Sequence, residues 1–215
     1  MTSTRRAAGT IIDISQPISS DIAVWPGDTT FSLEWVMRLE QGCSCNVSTL
    51  RMSAHTGTHA DAPYHFLPGG EKPAEVDLDR YLGTCRVVRV RSGDYVRPED
   101  LAGVDWTATR RILLKTPRST RETEWRNDFT YVGVDAARLL TEKGVRLVGI
   151  DTPSMDAMTS KTLDAHKIFA AAGTALLENL DLSAVDEDDY ELIALPLKIR
   201  DGDASPVRAV LRTLR

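Results

Sequence analysis

Apolar residues recur along the chain at two periods, and the period changes near the middle. Short β-branched runs at Thr10 to Ile14, Phe31 to Val36, Asn46 to Met52, Thr84 to Val90 and Arg111 to Lys115 alternate with turn residues and predict strands. The segment Arg97-Pro98-Glu99-Asp100-Leu101 predicts a short helical turn, with proline first and acidic residues at its positive end. Helical spacing appears over Val134 to Lys143, with Gly144 as a left-handed terminator and the apolar run Val145 to Ile150 behind it. Thr152-Pro153-Ser154 then breaks the chain. Ser160 to Ala172 predicts a second helix, with Leu163, Lys167 and Ala170 on one face and His166 nearby, closed by Gly173. Thr174 to Leu177, the acidic loop 186–189, a strand over Tyr190 to Leu195 and a last strand over Val207 to Arg212 complete the pattern. Hairpin-like and helix-linked strands in one chain indicate an α/β fold with a mixed sheet.

The chain has 215 residues, 42% of them hydrophobic and 27% charged, which suits one soluble domain with one sizeable core. A net charge of −5 without a basic run argues against nucleic acid as a partner. No apolar stretch approaches the ~20 residues that span a bilayer. The opening MTSTRRAAGT has no apolar segment behind its arginines, so a frayed extension over residues 1–9 and a cytoplasmic protein are expected. Cys43, Cys45 and Cys85 form no CxxC pair, and the first two are expected on one side of a strand, packed without metal or redox work.

Three of the four histidines fall within HTGTHADAPYH, residues 55–65. The four-residue spacing of His55 and His59 could mark a helix face, but Gly57 between two threonines and the following Pro63 argue for extended chain. The two-residue period then sends His55, Gly57, His59 and Asp61 to one side, with Gly57 leaving room for an ion. Two imidazoles and a carboxylate are a common ligand set for a catalytic divalent metal; zinc is the default and manganese the alternative. Pro63 interrupts the period, so His65 turns either toward the same cavity, as a general acid or base, or outward as a capped loop histidine. There is no GxSxG elbow, no GxxxxGK[ST] phosphate cradle and no GxGxxG turn.

The segment HTGTHADAPYH resembles the HxGTHxDxPxH signature of the cyclase family of metal-dependent amide hydrolases. Trp25-Pro26-Gly27-Asp28, Asp151-Thr152-Pro153-Ser154, the twelve-residue interval from His166 to Glu178-Asn179-Leu180 and the stretch YELIALPLKIRDGDASPVRAVLR resemble its bacterial kynurenine formamidase branch. The likeness covers residues 10 to 214 and is weakest over 115–132. It implies a single-domain swivelling β/β/α fold over 10–215, a homodimer and two zinc ions per chain. By that resemblance His55 and His59 bind the first ion, Asp61 bridges, His166 binds the second and Glu178 contacts both. His65 is the proton donor and acceptor, and Trp25 lines the pocket, with Trp125, Phe66 or Tyr64 as helpers. The implied reaction belongs to tryptophan breakdown: hydroxide shared by ions roughly 3.5–4 Å apart attacks the formyl carbon of N-formyl-L-kynurenine, an aromatic formamide. Another cyclase-type amide substrate such as isatin, or a non-catalytic metal-binding protein, are the competing expectations.

Overall fold

The computed structural model describes residues 7–119 and 123–214. In chain order the elements are β1 (Ile11–Asp13), β2 (Ser32–Met37), β3 (Val47–Arg51), β4 (His59–Asp61), β5 (Leu82–Arg89), β6 (Tyr95–Val96), β7 (Arg111–Lys115), β8 (Tyr131–Val132), α1 (Val134–Glu142), β9 (Leu147–Ile150), α2 (Asp164–Ala171), β10 (Ala175–Glu178), β11 (Asp189–Ile193), β12 (Ala204–Pro206) and β13 (Val210–Thr213). Nine strands form one mixed sheet in the order β1-β13-β11-β5-β7-β9-β10-β4-β12. Its centre, β5-β7-β9-β10, is parallel; both flanks are antiparallel. A β2–β3 hairpin and a β6–β8 pair stand outside it.

The middle of β7, Ile112–Leu114, and all of β9, Leu147–Ile150, are apolar because both of their faces are covered. Along β7, Leu113 enters one core with Leu147, Leu177, Leu192 and Leu211, while Ile112 and Leu114 enter a second core with Val148, Ile150 and Leu176. The two helices cover this second face through Ala136, Ala137 and Leu140 of α1 and Ala165 and Phe169 of α2. Alternating side chains thus divide one sheet between two cores. The first core is enclosed because the sheet curls. Only Val207 to Ala209 separate β12, at one end of the sheet, from β13 near the other, and Ile14 N donates to Ala209 O at 3.0 Å.

The expected α/β single domain with a mixed sheet is the observed architecture. Three local expectations are corrected. The second helix begins at Asp164 and not at Ser160, because Leu163 adopts φ 51, outside right-handed helix. The last strand begins at Val210 and not at Val207: a separate strand, β12, ends at Pro206, and Val207 N donates to Thr58 O. Cys43 and Cys45 lie in the turn between β2 and β3, while Cys85 packs in the first core. Residues 1–6 of the expected extension lie outside the described residues; Gly9 N donates to Thr213 O at 2.9 Å.

Candidate metal centre and cavity

Four of the expected side chains are buried at the junction of β4, β10 and α2. Strands β10 and β4 pair with Glu178 opposite His59, and the two-residue period of β4 puts Asp61 on the same side as His59. His166 projects from the first turn of α2. His59, Asp61, His166 and Glu178 are each at most 3% exposed.

Each buried histidine is anchored through one ring nitrogen, which leaves the other facing carboxylate. His59 Nδ1 lies 2.9 Å from Gly57 O, and since a carbonyl only accepts, that nitrogen carries the proton. Its Nε2 then lies 3.4 Å from Asp61 Oδ1 and 3.5 Å from Glu178 Oε2. His166 Nδ1 lies 2.6 Å from Asp156 Oδ2, and its Nε2 is 3.4 Å from Asp61 Oδ2 and 3.3 Å from Glu178 Oε1. Metal-binding histidines are characteristically held in this way, the far N–H donated to a carbonyl or carboxylate.

Two observations test whether these residues suit a cation. His59 Nε2 and Asp61 Oδ1 are buried without a well-directed hydrogen bond, a costly condition that a positive ion between them removes. Protons are also drawn into the cluster. Burial opposes charge on His59, yet Asp61 and Glu178 push its pKa up to about 10, and His166 is raised well above its ordinary value. Burial works equally against the carboxylates, yet the histidines hold Asp61 well below the usual range and Glu178 below its own. The donor set of nitrogens and carboxylate oxygens fits a metal cofactor.

His55 reaches the same centre by a different route from that expected. The chain from Ala54 to Thr58 is a turn, not a strand, and Gly57 has φ +63, a conformation that favours glycine. A side chain there would meet Ile22 and Ile18 and not an ion, so the room expected at Gly57 is occupied by packing. The turn brings His55 Nδ1 to 3.1 Å from Asp61 Oδ1. Thr58 fixes it, donating to Asn179 O at 2.6 Å while accepting from Gln16 N at 2.9 Å.

His65 sits on the short 3-10 turn Pro63–His65, at the mouth of the cavity, with its ring 4.3 Å from that of His55. The cavity measures about 530 Å³. The acidic and imidazole groups form one end; Trp25 and Trp125 line the other, and among the described residues no Lys or Arg does. Trp25 is 37% exposed and meets Trp125 edge-on at 5.3 Å and Phe129 at 6.3 Å. Of the expected helpers Trp125 lines the cavity and the other two do not: Phe66 packs 5.1 Å from the His166 ring, and Tyr64 has Lys72 Nζ over its ring.

Two carboxylates at the site were not among the expected site residues, although Asp203 lies within the C-terminal stretch that carries the resemblance. Asp156 accepts from the backbone N–H of Ala165 and His166 at 3.1 Å each, so it closes the start of α2 and fixes the His166 ring at once. Asp203 lies beside the half-buried His55 and the exposed His65. Asp156 is ten residues from His166 in an apparent loop, and Asp203 lies 138 residues from His65; neither distance forms a local motif. Asp151, inside a segment singled out by resemblance, is buried outside the cavity lining and accepts from Thr116 N and Oγ1; burial pushes its pKa up to about 7.

These candidate metal-ligating side chains stand on a mixed α/β sheet, and the relatives of this chain give the class of protein to which such a site belongs. Residues 12–157 match the family model described as "Putative cyclase". The chain is 43% identical over 203 residues to "Kynurenine formamidase" of Bacillus cereus, covering 94% of this chain and 97% of that one, and equally identical to its counterpart in Bacillus mycoides. Among solved structures, a "predicted metal-dependent hydrolase" from Bacillus stearothermophilus superposes with TM-score 0.80 at 30% identity, covering 95% and 98% of the two chains. Isatin hydrolase A from Labrenzia aggregata superposes with TM-score 0.81 at 25% identity, covering 96% and 94%. The chain belongs to the cyclase family and is a hydrolase.

Proposed function

We propose that this enzyme hydrolyses N-formyl-L-kynurenine to L-kynurenine and formate, a step of tryptophan degradation, with zinc as its native metal. The observation that carries the reading is the convergence of His59 and His166, both turned by Nε2 onto Asp61 and Glu178 from separate parts of the chain. The 43% identity to kynurenine formamidases supports the substrate.

His55 and His59 would hold one ion and His166 the other, with Asp61 and Glu178 between them; manganese is the alternative metal. The ions supply Lewis acidity, lowering the pKa of water and polarising the formyl carbonyl. The chain's own part is positioning and proton movement. Trp25 and Trp125 give the substrate's aromatic ring a face to lie on. His65 takes a proton from the attacking water, whose oxygen joins the formyl carbon. It then delivers that proton to the aryl nitrogen, a poor leaving group unless protonated, as the C–N bond breaks. Formate keeps the oxygen and the amine keeps the proton.

Turnover of N-formylkynurenine by the purified protein, with and without a chelator, tests this reading. Loss on chelation and recovery with zinc are expected; undiminished turnover of metal-free protein overturns it. The isatin hydrolase neighbour motivates a parallel assay, in which a higher kcat/KM for isatin would replace the substrate. A homodimer belongs to the same proposal. Leu33, Trp35, Val36 and Leu50 of the β2–β3 hairpin are exposed, and a second copy would cover them. Light scattering at the monomer mass would contradict it.

A further inference from the structure

The geometry points to Asp203 as the positioning residue that sets the ring orientation and tautomer of His65. This rests on the proposed role of His65 and goes beyond it. Asp203 Oδ2 lies 3.2 Å from His65 Nδ1 and 3.0 Å from His55 Nε2. A carboxylate only accepts, so His65 presents Nδ1–H to it, and the Nε2 lone pair is left for the cavity. An unheld imidazole is free to choose the other tautomer and to rotate, and either would remove the base from the water it must reach.

The contact is built by the backbone and not by side-chain chance. Ala62 N donates to Asp203 O at 3.0 Å, and His65 N donates to Ala62 O at 2.9 Å. Both partners therefore hang from one residue at the end of β4. The next residue after Asp203, Ala204, opens β12 in register with Asp61, so the sheet that carries the buried carboxylate also fixes the exposed one. On the far side, Asp201 is tied to Lys72 at 2.9 Å. The side chains of His65 and Asp203 are 34% and 45% exposed, so the pair sits at the mouth, where substrate and water arrive.

The competing role for Asp203 is support of His55 alone, and the two roles separate experimentally. Zinc-loaded Asp203→Ala is compared with the parent and with Asp203→Glu by steady-state kinetics, elemental analysis and ¹⁵N spectra of the His65 ring. The expected result is a fall in kcat of about 10- to 100-fold, the range typical of supporting partners, with KM within about twofold and zinc content unchanged. The His65 spectrum should change from Nδ1–H to a tautomer mixture, and Asp203→Glu should recover both signatures in part. Unchanged kcat, or a loss of zinc with the His65 spectrum of the parent, overturns the assignment. If the parent fails to hydrolyse the formamide, the functional reading falls, while the ring spectra still decide whether Asp203 holds His65.

Discussion

His59 and His65 are six residues apart and face the same cavity, yet they are held by different means. His59 is 1% exposed, sits on a strand whose register sets it opposite Glu178, and has its far nitrogen closed by a backbone carbonyl. His65 lies on a one-turn 3-10 segment, and its ring nitrogen answers to a carboxylate from the far end of the sequence. The buried end of the cavity is thus fixed by sheet register and rings that cannot turn, which suits binding an ion at constant geometry. The mouth is fixed by a shared peptide and a surface pair, which suits a group that must exchange protons with water. Replacements at the two ends should therefore fail differently.

The largest effect is expected at the buried end. His59→Ala should lose bound metal and, with it, nearly all turnover; full metal content by elemental analysis would break the distinction. His65→Ala should keep its metal and lose at least ~10²-fold in kcat, as loss of a general acid or base commonly does; a near-normal rate would remove His65 from the chemistry. Asp156→Asn perturbs the buried end alone, because Asp156 holds the His166 ring without being a proposed ligand. A drop of about 10- to 100-fold in zinc affinity is expected in a competition titration, with the His65 spectrum unchanged. At the aromatic wall, Trp25→Ala should raise KM roughly fivefold, equivalent to about 1 kcal/mol of ring contact, and leave kcat nearly unchanged.

The smallest effect is one of stability against pH. In the metal-free chain the pKa of His59 is raised from 6.5 to about 10. A histidine with a raised folded pKa contributes stability that is fully present below its unfolded value and lost as the pH climbs through the folded one. Metal-free protein should therefore lose stability between about pH 6.5 and 10. A bound cation takes the proton's place, so the zinc-loaded protein should hold its Tm over the same window. Parallel declines in both forms, measured by thermal melts, would contradict the exchange of proton for metal.

Much of the frame was legible because periodicity reports burial. The run Arg111–Lys115 and the helix from Val134 up to Gly144 lie where apolar spacing indicates. The site was legible where its residues share one segment, as His55, His59, Asp61 and His65 do, although the extended path expected for His55 is a turn about Gly57. His166 and Glu178 were reached only through family likeness, since an isolated histidine and glutamate carry no local pattern. Asp156 and Asp203 were missed for the same reason: their roles arise from chain crossings that bring carboxylates beside rings far away in sequence. The start of α2 was misjudged because the residue that satisfies its first N–H groups, Asp156, lies before the loop and not at the helix boundary.

Zinc-edge anomalous scattering from crystals of the zinc-loaded protein decides whether the segments around residues 55–61 and 166–178 jointly hold a dinuclear centre. Two peaks between Asp61 and Glu178, one beside His59 and the other beside His166, are predicted. A single peak, or peaks away from these four side chains, would contradict it.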